Sequence, residues 1–107
     1  MMFLITYQFN PPNPNALVVV GREIQGSALW SHYMDNVWII DTAEMLDQVV
    51  GRLTKFFTPQ DRLLVVALNQ YNLFQGVMPM DFWEWMSNRH KANNPGQPAL
   101  IPFPDLS

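Results

Sequence analysis

The chain of 107 residues contains no cysteine. Disulfide staples and thiolate metal sites are therefore excluded. Charge is also scarce: 14% of residues are Asp, Glu, Lys or Arg. Six basic side chains face nine acidic ones, giving a net charge of -3. That balance argues against the broad positive footprint of a nucleic-acid binder, although it leaves room for a local patch. No apolar run approaches the ~20 residues of a membrane-spanning helix. The first residues, Met1 to Tyr7, lack a basic stretch and a small-residue cleavage site, so they do not read as a secretory signal. A cytoplasmic protein without membrane contact is the expectation. There is no Gly-rich phosphate loop, no nucleophile elbow and no zinc-ligand spacing. Neither a metal nor a cofactor is expected.

What the chain does have is apolar. Hydrophobic residues make up 49% and aromatic residues 13%. This is enough for one packed domain and argues against disorder. Phe3, Ile5, Tyr7 and Phe9 alternate, which predicts a first strand over 2–9. Asn10-Pro11-Pro12-Asn13-Pro14 ends it, because proline removes a ladder donor. Leu17, Val20, Gly21 and Ile24 recur at helical spacing, with Asn15 as the expected cap and Gly26 as the stop. Two strands, 28–33 and 37–41, meet at the turn pair Asp35-Asn36. Thr42 is the expected cap of a second helix, whose stripe is Leu46, Val49, Val50, Leu53, Phe56 and Phe57. Arg62 to Leu68 forms a fourth strand. Its nearly continuous apolar run suits burial on both faces, or an open face that meets a partner.

A third helix opens at Pro79. Adjacent-but-one residues on a helix point ~200° apart, so Trp83 and Trp85 cannot share a face. The set Phe82, Trp85, Met86 and Arg89 is the more apolar, which assigns Trp85 to the core and turns Trp83 outward. Arg89, His90 and Lys91 suit the negative end of the helix dipole, with His90 at the surface. A proline-rich tail follows, in which Ala99 to Phe103 is expected as an edge strand.

The order strand-helix-strand-strand-helix-strand predicts an α+β chain. Its expected core is a ferredoxin-like βαββαβ sandwich over 1–78, with sheet order 4-1-3-2 and both helices on one face. Residues 79–107, the C-terminal helix and tail, are expected to pack on a partner subunit or to exchange with it.

Four segments carry a resemblance over residues 1–85. They are Leu4-Ile5-Thr6-Tyr7, the hairpin Trp30 to Ile40, Asp61 to Val66, and the aromatic stretch Asn72 to Trp85 with Gly76 and Pro79. Together they resemble the SinR-like small proteins. Those are relatives of the second CRISPR-associated protein of the spacer-integration complex and of the virulence-associated protein D toxins. The resemblance implies a ferredoxin-like homodimer connected with nucleic acid. It also implies an acid after the first-strand tyrosine, placed to hold a divalent metal. Here that position is Gln8, and a neutral amide lacks the charge a hard cation wants. Metal-dependent cleavage is therefore not expected.

Gln8 and Asn10 are candidate binding residues, set against the simpler reading of a hydrogen-bonded loop start. Trp83, Arg89 and Lys91 are candidates for a protein interface or, less simply, for base stacking. His32 is the one low-ranked catalytic candidate, as a general base or ribonuclease acid. The simpler reading gives it a hydrogen bond across the hairpin. Asp35, Asp41, Glu44 and Asp47 are read as turn, helix-start and solvated groups, not as a metal site. The leading function is a non-catalytic homodimer that binds a protein, or RNA or DNA held in a larger assembly. The alternatives are a small metal-independent ribonuclease and a phage or mobile-element factor that inhibits a host protein.

Overall fold

A computed structural model describes residues 1–27, 29–69 and 75–95. The described elements are β1 (Met2–Gln8), α1 (Pro14–Gln25), β2 (Leu29–Met34), β3 (Val37–Asp41), α2 (Leu46–Thr54), β4 (Arg62–Leu68) and α3 (Met80–Asn93). The four strands form one antiparallel sheet in the order β2-β3-β1-β4. β1 pairs with β3 from Met2↔Asp41 to Thr6↔Val37, and β2 pairs with β3 from Leu29↔Asp41 to Met34↔Val37. The expected edge strand over 99–103 lies outside the described residues. Two compact units divide the chain, Met1–Ala67 and Leu68–Ser107.

In the first unit, α1 and α2 cover the same sheet face. Phe3, Ile5, Tyr7 and Phe9 from β1 and Trp38 and Ile40 from β3 share one buried cluster with Val20 and Ile24 of α1 and Val49 and Leu53 of α2. Phe3, Ile5, Ile24, Ile40 and Leu53 are fully enclosed, each contributing about 1.5–3 kcal/mol by leaving water. Phe9 stacks on Phe57 at 4.8 Å, and Tyr7 meets the same ring edge-on. The buried Trp38 Nε1 donates to the Tyr7 hydroxyl at 2.9 Å, which satisfies a polar group that burial would otherwise make costly. Burial pushes the Tyr7 phenol up, partly offset by that bond. Gly21 lets α1 approach closely: a Cβ there would stand 3.4 Å from Trp38 Cζ2.

Helix starts differ from the sequence reading. Asn13, not Asn15, caps α1: its side chain accepts from the Ala16 amide at 3.1 Å. Pro14 then takes the first helical position, where its missing N–H costs nothing. Val18 to Val20 are helical, overriding weak propensity because Val20 is buried. Gly26 is the C-cap, but in a right-handed conformation. α2 begins at Leu46, after Thr42 has instead bonded the Glu44 amide and carboxylate. Gln48 accepts from the Met45 amide at 2.7 Å and closes the first turn.

Among the described strands β4 is a sheet edge, and its outward residues are exposed, so the reading of a strand buried on both faces does not hold. Leu63 and Val65 pack on the core while Leu64 and Val66 stand on the opposite face, 59% and 39% exposed. In the second unit, α3 starts after Pro79, and its buried residues are Phe82, Trp83, Met86 and His90. This overturns two expectations. Trp83 is the enclosed indole at 2% exposure and Trp85 is half-buried; His90 is buried, not a surface group. Phe82 and Met86 lie between the two alternative faces, so periodicity alone could not choose the flanking tryptophan.

Candidate functional site

The far end of β1 meets the start of β4 and the β2–β3 turn. Thr6 and Gln8 lie on the sheet face opposite α1 and α2, because Tyr7 between them is in the core. By the same alternation Arg62 and Leu64 share that face on β4. The Tyr7 amide donates to the Asn36 carbonyl at 3.3 Å, which brings the hairpin turn to the same end. These residues line an open groove of ≈ 430 Å³. Gln8 is exposed and its side chain forms no hydrogen bond among the described residues.

Arg62 is held in a particular way. Its Nη1 donates to the carbonyls of Pro59, Gln60 and Asp61 at 3.4, 3.3 and 3.0 Å. The adjacent carboxylate of Asp61 is used elsewhere. It accepts from the Asn10 amide at 2.9 Å and from the Thr58 amide and hydroxyl at 2.8 and 3.1 Å. Those donors, the Asn10 amide first, hold its carboxyl below the usual value. Asn10 thus tethers the β1–α1 loop to the β4 entrance. It lines a second, smaller depression of ≈ 220 Å³ with Pro11, Pro12 and Phe56. Gln8 and Asn10 therefore serve different depressions, and Asn10 carries the simpler loop-tether role as well.

His32 sits on β2 with its ring flat against Trp38, and its Nε2 is 3.1 Å from the Asp35 carbonyl. One nitrogen is thus engaged within the hairpin itself. A register shift between His32 and Met34 marks a bulge there. Trp30 meets the other side of this cluster, edge-on to Trp38 at 5.5 Å.

Of the acidic residues, Glu44 belongs to an ionic hub that sequence reading missed. Arg52 Nε and Nη2 reach the Glu44 carboxylate at 2.9 and 3.0 Å, and Nη1 reaches the Glu23 carbonyl at 2.8 Å. Ser27 Oγ accepts from the same guanidinium. The Arg52 hydrogen bond is the main reason the Glu44 carboxyl is held low, against a smaller opposing effect of burial. The only signal in the sequence was an arginine in the last turn of α2; its partners on α1 are remote in the chain. Among the described residues, no three His, Asp or Glu side chains are grouped to hold a metal.

On α3, Trp83 is buried, Arg89 half-buried and Lys91 exposed. The helix does not present these three candidates as one surface. Trp83 Nε1 is enclosed without a hydrogen-bond partner among the described residues. No helix among the described residues is long and apolar enough to cross a membrane. No family model, curated protein or solved structure matches the chain.

Proposed function

We propose that this chain is a ferredoxin-like homodimer that acts by binding, with β4 as the seam between subunits. The sheet order, read from its other edge, is β4-β1-β3-β2, and α1 and α2 share one face. Both features support the ferredoxin-like reading. The resemblance to the SinR-like proteins, and through them to spacer-integration and virulence-associated relatives, remains part of this proposal.

The observation that carries the reading is the bareness of β4. After Arg62 the strand has no charged residue through Leu68, yet among the described strands it lies at the sheet edge with Leu64 and Val66 exposed. Natural edges are usually blunted by charge, proline or a bulge. The other edge, β2, has the bulge. Antiparallel pairing of two β4 strands about Val65 sets Leu64 against Val66 and Leu63 against Ala67 of the second copy, so apolar meets apolar from Leu63 to Ala67, with Arg62 and Leu68 at the ends. The partner of such a dimer is a protein in the first instance. The net charge of -3 is a poor match for a nucleic-acid backbone.

The ribonuclease alternative would centre on His32, and no observation favours it. Sizing the protein by light scattering tests the dimer. A mass near twice the 12.4 kDa subunit supports it, and a subunit mass at micromolar concentration contradicts it.

A further inference from the structure

We infer that the groove between β1 and β4 is a metal-free site for a small phosphomonoester, with Arg62 as its anchor. The three carbonyls on Nη1 immobilise the guanidinium, while Nε and Nη2 form no hydrogen bond among the described residues. Those two nitrogens are one edge of the planar fork, the geometry that grips an oxyanion through two parallel bonds. Fixing the side chain beforehand lowers the entropy cost of that grip. Gln8, Asn36 and Thr6 line the same groove and have uncommitted side chains among the described residues. Each supplies a donor, and no Asp or Glu is among the lining residues. The nearest carboxylate in sequence, Asp61, takes its hydrogen bonds from Asn10 and Thr58, so its charge attracts Arg62 without occupying the free edge of the guanidinium.

The charge and the donor count point to phosphate. A carboxylate offers two oxygens, fewer than the donors available from Arg62, Gln8, Asn36 and Thr6. A phosphate offers one more terminal oxygen even when esterified. The exposed Leu64 borders the groove and gives an organic ester group an apolar wall. This site does not depend on subunit pairing, so it stands or falls separately from the proposed dimer.

The test is an NMR titration of the full chain with glycerol phosphate, inorganic phosphate, acetate and, at matched ionic strength, chloride. Glycerol phosphate should shift the Arg62 Nε–H and the Gln8 and Asn36 side-chain amide signals, at lower concentration than inorganic phosphate does. Arg62→Gln should abolish the response. Gln8→Ala, at an exposed position, should leave the fold intact and weaken binding about threefold to tenfold, the worth of one hydrogen bond. Chloride-like behaviour of glycerol phosphate, or shifts that survive Arg62→Gln, would overturn the site. An equal response to inorganic phosphate would overturn the ester assignment, and an equal response to acetate the preference for phosphate.

Discussion

The imidazole of His32 lies parallel to the indole of Trp38, with ring centroids 3.6 Å apart and planes 8° apart. The same indole bonds the Tyr7 hydroxyl through its Nε1. The hairpin is thus tied to the core through one ring. His32→Ala removes the stack and the contact to the Asp35 carbonyl together. The expected result is a loss of about 1 kcal/mol in unfolding free energy by urea titration. If His32 instead served catalysis, the variant would fold normally and abolish a chelator-independent cleavage of RNA.

Arg52 joins α1, α2 and the segment before α2. Arg52→Met keeps the stem, leaves Glu44 with the Thr42 hydroxyl alone and the Glu23 carbonyl with the Gly26 amide alone, and removes the cation from both. A loss of about 2 kcal/mol is expected at neutral pH, discounted because both partners retain some solvent. Glu44 also gives the protein an acid limit. Its carboxyl is held below 4.5 in the folded state, so its stabilisation is complete above that value. As pH falls through the lowered folded value, the unfolded chain has already taken up its proton, and the stabilisation is lost. Urea titrations below and above pH 4.5 should show a smaller acid loss in Arg52→Met than in the parent.

The two glycines inside helices predict opposite behaviour on enlargement. A Cβ at Gly51 meets nothing within 4 Å, so Gly51→Ala should stabilise by about 0.5–1 kcal/mol through helix propensity. At Gly21 the Trp38 ring is already at contact distance from the added Cβ. Gly21→Val, with two further carbons, should force α1 away from the sheet and cost about 1–3 kcal/mol. Calorimetry of both variants separates the two effects.

Trp83 and Trp85 can be told apart by size and by polarity. Trp83→Ala should lower the melting temperature more than Trp85→Ala, because only Trp83 is fully enclosed. Trp83→Phe retains a ring and removes an indole N–H that has no acceptor among the described residues. It should therefore cost far less than Trp83→Ala. Equal losses in the phenylalanine and alanine variants would show that the N–H is satisfied.

These particulars show which parts of the chain could be read in advance. The alternation of Phe3, Ile5, Tyr7 and Phe9 reports one buried face directly, and Asp35-Asn36 sits at the observed turn. Cap positions were harder. Asn13 and Asn15 are both able to cap, and only the fit of Pro14 at the first helical position separates them. The choice between Trp83 and Trp85 depended on what α3 packs against, which its own periodicity does not contain. For the site, Gln8 was visible as a departure from an acid, and its neighbours in the groove were not. Arg62 and Asn36 come from segments far apart in the chain, brought to one end only by sheet pairing.

The proposed seam along β4 is the central claim, and a single charged substitution tests it. Leu64 points away from the core, so Leu64→Lys should leave the subunit folded. When β4 strands pair about Val65, it sets a charge against the apolar Val66 of the second copy and brings the two lysines onto one face as diagonal neighbours. Multi-angle light scattering at micromolar concentration should return about twice 12.4 kDa for the parent and the single subunit mass for Leu64→Lys, with circular dichroism unchanged. A parent that already runs at the subunit mass, or a variant that stays dimeric, would contradict the account.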